Sequence, residues 1–456
     1  MPAPGNASAA THRKPLIACE MCAAVFHREP LDRGEAACCT RCGTILWRHT
    51  SLPASAWLAL TLAALLVFAI ANVYPIASLS VQGMTQRASL PDALAVTWQQ
   101  GQYSVAVMCG LGAFALPLLQ ILLLIWVLTP LAQARAAPGF AMAVRLLGLL
   151  RPWSMVPVFL LGVLVAVVKL AGMAAIAPGA GLAGFAVLTV LLTMLAKLSP
   201  HALWRMAEQV RAVPLHIPRA RPASLLTGCH VCGQVQALPA AAGHEAKHHC
   251  RRCDAVLHYR KPDHRSRTWA LLVAATLLYV PANIWPIMEV SSITGSSAHT
   301  ILGGTLQLWA MGSWDLAVIV FVASVMVPMT KLLALAALLI TESRGNPGNL
   351  RQRTRLYQAV EFIGQWSMLD VFVVILLAAL AHFQGLMEIH TGAAAAAFGL
   401  VVVFTMMAAH SFDPRRSWDL AGAEADRDPV ADHPAPTQQR TAAAIVNPPK
   451  TSHDKE

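Results

Sequence analysis

Eight cysteines fall into four Cys-x-x-Cys pairs, and their spacing is that of metal ligands. Cys19-Glu20-Met21-Cys22 is followed, sixteen residues on, by Cys39-Thr40-Arg41-Cys42. Cys229-His230-Val231-Cys232 is followed, after seventeen, by Cys250-Arg251-Arg252-Cys253. Two such knuckles at this separation offer four thiolates to one tetrahedral ion, the pattern of a zinc ribbon. Gly43, Gly233 and Asp254 follow three of the knuckles and suit the tight turn beneath a metal. Cys38 rivals Cys39 as a ligand, but only Cys39 keeps the two-residue spacing. A redox dithiol and an iron–sulfur cluster are the competing readings. A thioredoxin-type pair stands in a βαβ context, and none is visible. Each segment is too short for an apolar core, so bound metal supplies its folding energy. Two structural zinc ions per chain are expected.

A second group of candidates lies inside apolar runs. Lys169 stands within Val167-Val168-Lys169-Leu170, Lys331 just after Pro328, Asp370 at the start of a run, and Thr405 inside another. An ionisable side chain at mid-membrane costs about 2.5–3.5 kcal/mol on insertion scales and points by default to function. The bland readings are a lysine that snorkels to the interface and an aspartate that caps its helix.

The elements that must position these groups follow from composition. Only 12% of the 456 residues are charged and 56% are hydrophobic. Crossing a ~30 Å hydrocarbon core takes about 20 apolar helical residues. Eight runs reach that length, near 56–78, 103–129, 153–176, 180–201, 269–289, 314–340, 367–386 and 392–411. In lipid each must be helical, because an unpaired backbone group finds no partner there. Lys and Arg crowd at 135–151, 197–221, 247–267, 331–355 and 415–416, while the loops of the other side hold one strong base, Arg87. That asymmetry places both termini in the cytoplasm. It also accounts for the net charge of +11 without nucleic acid. The polar first residues lack a cleavable leader pattern, and the first run reads as a helix that stays.

The chain also repeats itself. Asn72-x-x-Pro75-Ile76 matches Asn283-x-x-Pro286-Ile287, Pro117 matches Pro328, and Trp153-Ser154-Met155 matches Trp366-Ser367-Met368. Gly172 and Gly179 match Gly385 and Gly392, and Pro200 with Trp204 matches Pro414 with Trp418. The expected fold is an all-α polytopic membrane protein made of two tandem parallel repeats. Each repeat has four transmembrane helices preceded by a small cytoplasmic zinc ribbon. The segments are a disordered 1–15, ribbons at 16–50 and 229–262, membrane modules at 51–204 and 263–418, a linker at 205–228, and a disordered tail at 419–456. At the positions of Lys331, Asp370 and Thr405 the first copy has Gln120, Pro157 and Leu192; at that of Lys169 the second has His382. A common scaffold with a specialised polar site has this character. Kinks are expected at Pro117 and Pro328. Leu90, Leu94, Trp98 and Leu302, Leu306, Trp309 recur at helical spacing, as in interfacial amphipathic helices.

Paired Cys-x-x-Cys sites before Asn-x-x-Pro-Ile, then Pro in the second span and Trp-Ser-Met opening the third, all duplicated, resemble the paraquat-inducible protein A family. That family includes the LetA-type intermembrane transport proteins, and the resemblance covers residues 16 to about 418. It implies an inner-membrane subunit that works with a periplasm-spanning MCE-domain tunnel protein and moves lipids between the membranes of a Gram-negative cell. It further implies a zinc ribbon for each cysteine set and a membrane polar network, carried here onto Lys169, Lys331, Asp370 and Thr405. Ala171 and Gly172 follow Lys169-Leu170 with no acid nearby, so a charge partner must come from another helix. No Walker A, G-x-S-x-G or H-E-x-x-H motif occurs, and no enzymatic activity is expected. Two rivals to lipid transport stay open: a membrane redox protein using its dithiols, and a non-transporting anchor for the tunnel protein.

Overall fold

The computed structural model describes residues 15–32, 35–49, 52–81, 84–171, 175–213, 224–239, 248–292, 295–310, 312, 314–344, 348–380, 387–419 and 444–446. The first cysteine set lies on two hairpins, β1 (Leu16–Ala18) with β2 (Val25–His27) and β3 (Ala36–Cys38) with β4 (Ile45–Arg48). Helix α1 (Ala54–Val73) follows, then a hairpin of β5 (Ala77–Val81) and β6 (Met84–Ala88), and helices α2 (Leu90–Gln99), α3 (Tyr103–Gly110) and α4 (Leu116–Ala132). Helices α5 (Phe140–Leu150) and α6 (Val156–Ala171), strand β7 (Ala175–Pro178), and helices α7 (Ala180–Leu195) and α8 (Pro200–Gln209) complete the first half.

The order then recurs. The second cysteine set lies on β8 (Ser224–Gly228) with β9 (Val235–Pro239) and β10 (His248–His249) with β11 (Val256–Leu257). After it come α9 (His264–Ile284), β12 (Met288–Ser292), β13 (Gly295–His299), α10 (Ile301–Ala310), α11 (Trp314–Phe321) and α12 (Val327–Ser343). Helices α13 (Leu350–Ile363) and α14 (Leu369–Leu380), strand β14 (Met387–Thr391) and helix α15 (Ala393–Ser411) close the second half.

Among the described residues, six helices are long and apolar enough to cross a membrane. The fourth expected span is instead a bent pair, with α7 and α8 meeting at 61°. Ser199 causes the break: its hydroxyl accepts from the Ala202 N–H at 3.1 Å and starts a new helix, with Pro200 at its first position. The seventh expected span is the short apolar helix α14, and residues 381–386 lie outside the described ones.

The expectation of an all-α chain needs correcting, because small sheets cap both halves. β6-β5-β7 and β13-β12-β14 are three-stranded and antiparallel. They sit in loops whose short alternating stretches are easily overlooked between long apolar runs. They also explain two of the repeated motifs. The Gly179 N–H donates to the Ile76 carbonyl at 2.8 Å, and the Gly392 N–H to the Ile287 carbonyl at 2.8 Å. A Cβ at either glycine would lie 2.1 Å from the carbonyl oxygen of Pro75 or Pro286, so only glycine fits. Asn72 and Asn283 each donate back to the carbonyl four residues earlier, Phe68 and Tyr279, at 2.8 Å as α1 and α9 end. The expected amphipathic helices are α2 and α10, each entered from its hairpin. Ser89 and Asp92 form a reciprocal capping box at the start of α2. In the tail read as disordered, strand β15 (Ala444–Val446) pairs with β3 and Asp419 pairs with Arg260; the rest of the tail lies outside the described residues.

Where kinks were expected at Pro117 and Pro328, π-helical turns at Leu111–Ala115 and Val322–Met326 run directly into the proline-bearing helices. Each π turn closes with a bond to the fifth residue back, from the Leu116 N–H to the Leu111 carbonyl and from the Val327 N–H to the Val322 carbonyl, just before the proline that has no N–H to donate. Helices α1 and α7 pack closely: a Cβ at Gly184 would lie 2.9 Å from the Ala71 Cα. The halves meet through α6 and α14. Phe159 and Phe372, equivalent by the spacing of the Trp-Ser-Met motifs, stack edge to face at 5.4 Å between ring centroids.

Candidate functional site

Each knuckle is a turn held by two backbone bonds from its first cysteine. Cys19, Cys39, Cys229 and Cys250 donate N–H to Ala24, Thr44, Gln234 and Ala255, and accept from the N–H of Ala23, Gly43, Gly233 and Asp254. Those last four residues all adopt left-handed backbone, with φ of 59°, 82°, 71° and 55°. Three were legible as turn residues; Ala23 was not, because alanine carries no such preference. All eight expected cysteines are buried. Within each set the four sulfurs lie within 4.8 Å of one another. Closest approaches are 3.5 Å for Cys19–Cys42 and Cys22–Cys39, 3.5 Å for Cys229–Cys253 and 3.6 Å for Cys232–Cys250. That is far longer than a disulfide, and it is the separation of sulfurs arranged around one ion. Cys38 is half-buried on β3 and outside the cluster, so the spacing argument for Cys39 holds. Hydrogen bonds from neighbouring thiols and then burial push Cys19 and Cys232 up, while the thiol contacts pull Cys42 and Cys250 down. Four crowded thiols sharing protons in this way are relieved by exchanging them for a cation. The donor set fits two structural metal sites.

The ribbons are docked crosswise. Arg41, inside the second knuckle of the first ribbon, stacks on Trp418 of the second half at 4.9 Å. Arg252, at the equivalent place in the second ribbon, stacks on Trp204 of the first half at 4.5 Å. Arg351 of α13 donates to the carbonyls of Arg41 and Thr40 at 2.9 and 3.0 Å. Arg145 of α5 donates to the Cys253 carbonyl. Glu208 of α8 bridges both ribbons, accepting from Arg28 at 2.9 Å and from Arg252 at 2.6 Å. The ribbons also touch each other, since a Cβ at Gly228 would lie 2.8 Å from the Ala18 Cβ.

Of the four membrane candidates, the structure brings two together. Lys331 and Thr405 line one cavity of about 430 Å³, shared with Arg151, Gly364, Glu361 and His410. Lys331 is 2% exposed and donates from Nζ to the Gly364 carbonyl at 3.2 Å. The Thr405 hydroxyl donates to the Val402 carbonyl at 2.9 Å. The cavity lies between the halves, because Arg151 and Pro152 belong to the first and Lys331 and Thr405 to the second. Lys169 lies on α6 and Asp370 on α14; their side chains lie outside the described residues. α6 and α14 pack so that a Cβ at Gly162 would lie 3.4 Å from the Leu369 carbonyl oxygen. Asp370 is therefore level with Gly162, and Lys169 lies seven residues, about 10 Å of helix, further along.

Two of the charged contacts that sequence reasoning missed tie distant elements together. One is the Arg28–Glu208–Arg252 bridge. The other is a buried pair between His264 and Glu342, 2.9 Å apart, with Arg416 at 3.7 Å. It ties the start of α9 to the end of α12. A signal existed: Glu208 and Glu342 are the only acids in the basic stretches 197–221 and 331–355.

Comparison with known proteins agrees with this picture. The family described as Paraquat-inducible protein A matches twice, over residues 54–208 and 266–421. The chain is 33% identical over 434 residues to the Intermembrane transport protein PqiA of Escherichia coli, covering 92% of this chain and 98% of that protein. It is 29% identical over 407 residues to the Lipophilic envelope-spanning tunnel protein A of the same organism, covering 88% and 90%. A Probable intermembrane transport protein of Haemophilus influenzae is 28% identical over 415 residues, covering 90% and 97%. No solved structure matches the chain.

Proposed function

Because the chain belongs to the paraquat-inducible protein A family, we propose that it is an inner-membrane subunit of an intermembrane lipid transport system. It passes lipids to a periplasm-spanning MCE-domain tunnel protein and so supports outer-membrane integrity. The names of its relatives, intermembrane transport protein and envelope-spanning tunnel protein, support this reading. The observation that carries it is the cavity between the halves with the buried ammonium of Lys331 on its wall. A lysine on the wall of a membrane cavity can hold a phosphate head group as a point charge.

In this reading the protein has eight spans, counting α7 with α8 and α14 as crossings, arranged as two parallel repeats with both termini cytoplasmic. Parallel repeats place transport sites near their interface, where Phe159 meets Phe372. Each cysteine set holds a structural zinc ion that folds its ribbon. No catalytic step is assigned, and the thiols serve as ligands, not as redox dithiols. Lys331 and Thr405 form the wall of the lipid site. Lys169 and Asp370 extend the polar network at two other levels of the α6–α14 contact.

A photocrosslinking lipid with a phosphate head group tests this. Protein purified from cells supplied with it is expected to carry crosslinks at Met406 and Val360, which are buried and line the cavity. Crosslinks restricted to lipid-facing residues such as Leu66 and Leu277 would sink the proposal, and uniform absence would favour a non-transporting anchor.

A further inference from the structure

A second cavity, of about 470 Å³, opens between the two ribbons and α8. It shares Met21, Glu361 and His410 with the Lys331 cavity, so the two adjoin. Five Lys and Arg side chains line it against four carboxylates, a surplus of one positive charge. At the end formed with α8, Glu208 is shared between Arg28 at 2.9 Å and Arg252 at 2.6 Å, with Arg205 alongside.

Arg252 makes the imbalance specific. Its side chain is 6% exposed, and Nη1 is engaged by Glu208 at 2.6 Å. Its Nε and Nη2 are buried with no hydrogen-bond partner among the described residues. A buried donor left unmade costs about 1–3 kcal/mol, and more on a charged group. Stacking on Trp204 fixes the guanidinium plane without satisfying either donor. His201 lines the same cavity; Glu20 engages its Nδ1 at 3.1 Å, while its Nε2 is also buried without a partner.

We propose that this arginine end binds a phosphate-bearing anion on the ribbon side of the membrane. Guanidinium forks present paired donors at the spacing of phosphate oxygens, and the buried Nε and Nη2 of Arg252 are such a pair. The ligand sits where both ribbons and α8 converge, so it bridges the two halves. The proposal does not rest on the transport reading.

Two probes separate the sources of such an anion. Inorganic pyrophosphate is titrated into the full-length protein in phosphatidylcholine nanodiscs at low salt, and fluorescent phosphatidic acid is offered in the same discs. Saturable pyrophosphate binding identifies a soluble phosphate compound. Retention of phosphatidic acid with no pyrophosphate binding identifies a lipid head group. In either arm Arg205→Gln, which breaks no described hydrogen bond, is expected to weaken binding about tenfold. Glu208→Gln is expected to tighten binding, because it removes the competing carboxylate. Zinc content reports folding; if Arg252→Gln loses metal, Arg205→Gln decides. The proposal fails if neither probe binds saturably, or if Arg205→Gln binds as the wild type does. It fails equally if Lys331→Met abolishes binding, which would place the anion in the adjoining cavity.

Discussion

Replacing Lys331 by methionine separates function from folding, because its two effects on stability oppose each other. The substitution removes the Nζ hydrogen bond to the Gly364 carbonyl, 3.2 Å away and buried. Hydrogen bonds to charged groups contribute about 1.5–3 kcal/mol. It also removes an ammonium that is 2% exposed in an apolar span, a burden of about 2.5–3.5 kcal/mol on insertion scales. Methionine refills most of the volume with a flexible apolar chain. The terms nearly cancel, so Lys331→Met is expected to keep its membrane level, zinc content and thermal midpoint within a few degrees. Transport should nevertheless be lost, read as failure to restore detergent resistance in cells lacking this system and its paralogues. A Thr405→Val control should behave in the same direction but less severely, since its hydroxyl already donates within its own helix. Full rescue by Lys331→Met would refute the reasoning. So would a collapse of thermal stability, since the lysine would then be a structural strut whose removal harms transport indirectly.

Elemental analysis is expected to give two zinc ions per chain, and Cys229→Ser should lose one of them and lower protein levels; iron in either site would overturn the assignment. Ala23→Gly should stabilise the first ribbon by about 1 kcal/mol, because alanine there holds φ of 59° at a left-handed cost of about 1–2 kcal/mol; slower zinc loss to a chelator would report it. Gly392→Ala should destabilise the protein by roughly 1–3 kcal/mol or more through overpacking, since its Cβ would lie 2.1 Å from the Pro286 carbonyl oxygen; an unchanged thermal midpoint would contradict the described close approach.

The two cysteine clusters were legible because ligand chemistry is written in local spacing. Four thiols on two knuckles need only a short chain, and each knuckle repeats the same two backbone bonds around its first cysteine. The apolar runs were legible for a similar reason, as solvent imposes their length. Legibility failed where the deciding contact is distant. β5 looks like a loop until β6 and β7 pair with it, and β7 begins almost a hundred residues later. Lys331 and Thr405 were each visible as polar residues in apolar runs, but their shared cavity depends on how α12 and α15 pack. The π turns left no residue-level signal except the prolines that follow them. Proline can mark a kink or the end of a widened turn, and the sequence alone does not choose.

The crosswise docking of the ribbons carries the longest of these distances, and it changes what the ribbons are for. A zinc ribbon placed before each membrane half would be expected to serve the half it precedes. Here Arg41 crosses to Trp418 and Arg252 crosses to Trp204, each stack contributing about 0.5–2 kcal/mol. Glu208, at the end of the first half, holds an arginine from each ribbon. Any motion that separates the halves at the Phe159–Phe372 contact must therefore strain or slide both ribbons. The metal sites keep the knuckles rigid, so that strain falls on the arginine contacts and not on the turns. Rigid knuckles joined by a few polar contacts form a latch whose strength is set by charge. The donors of Arg252 that lack a partner among the described residues lie in that latch, where an added anion would tighten it without altering either membrane half.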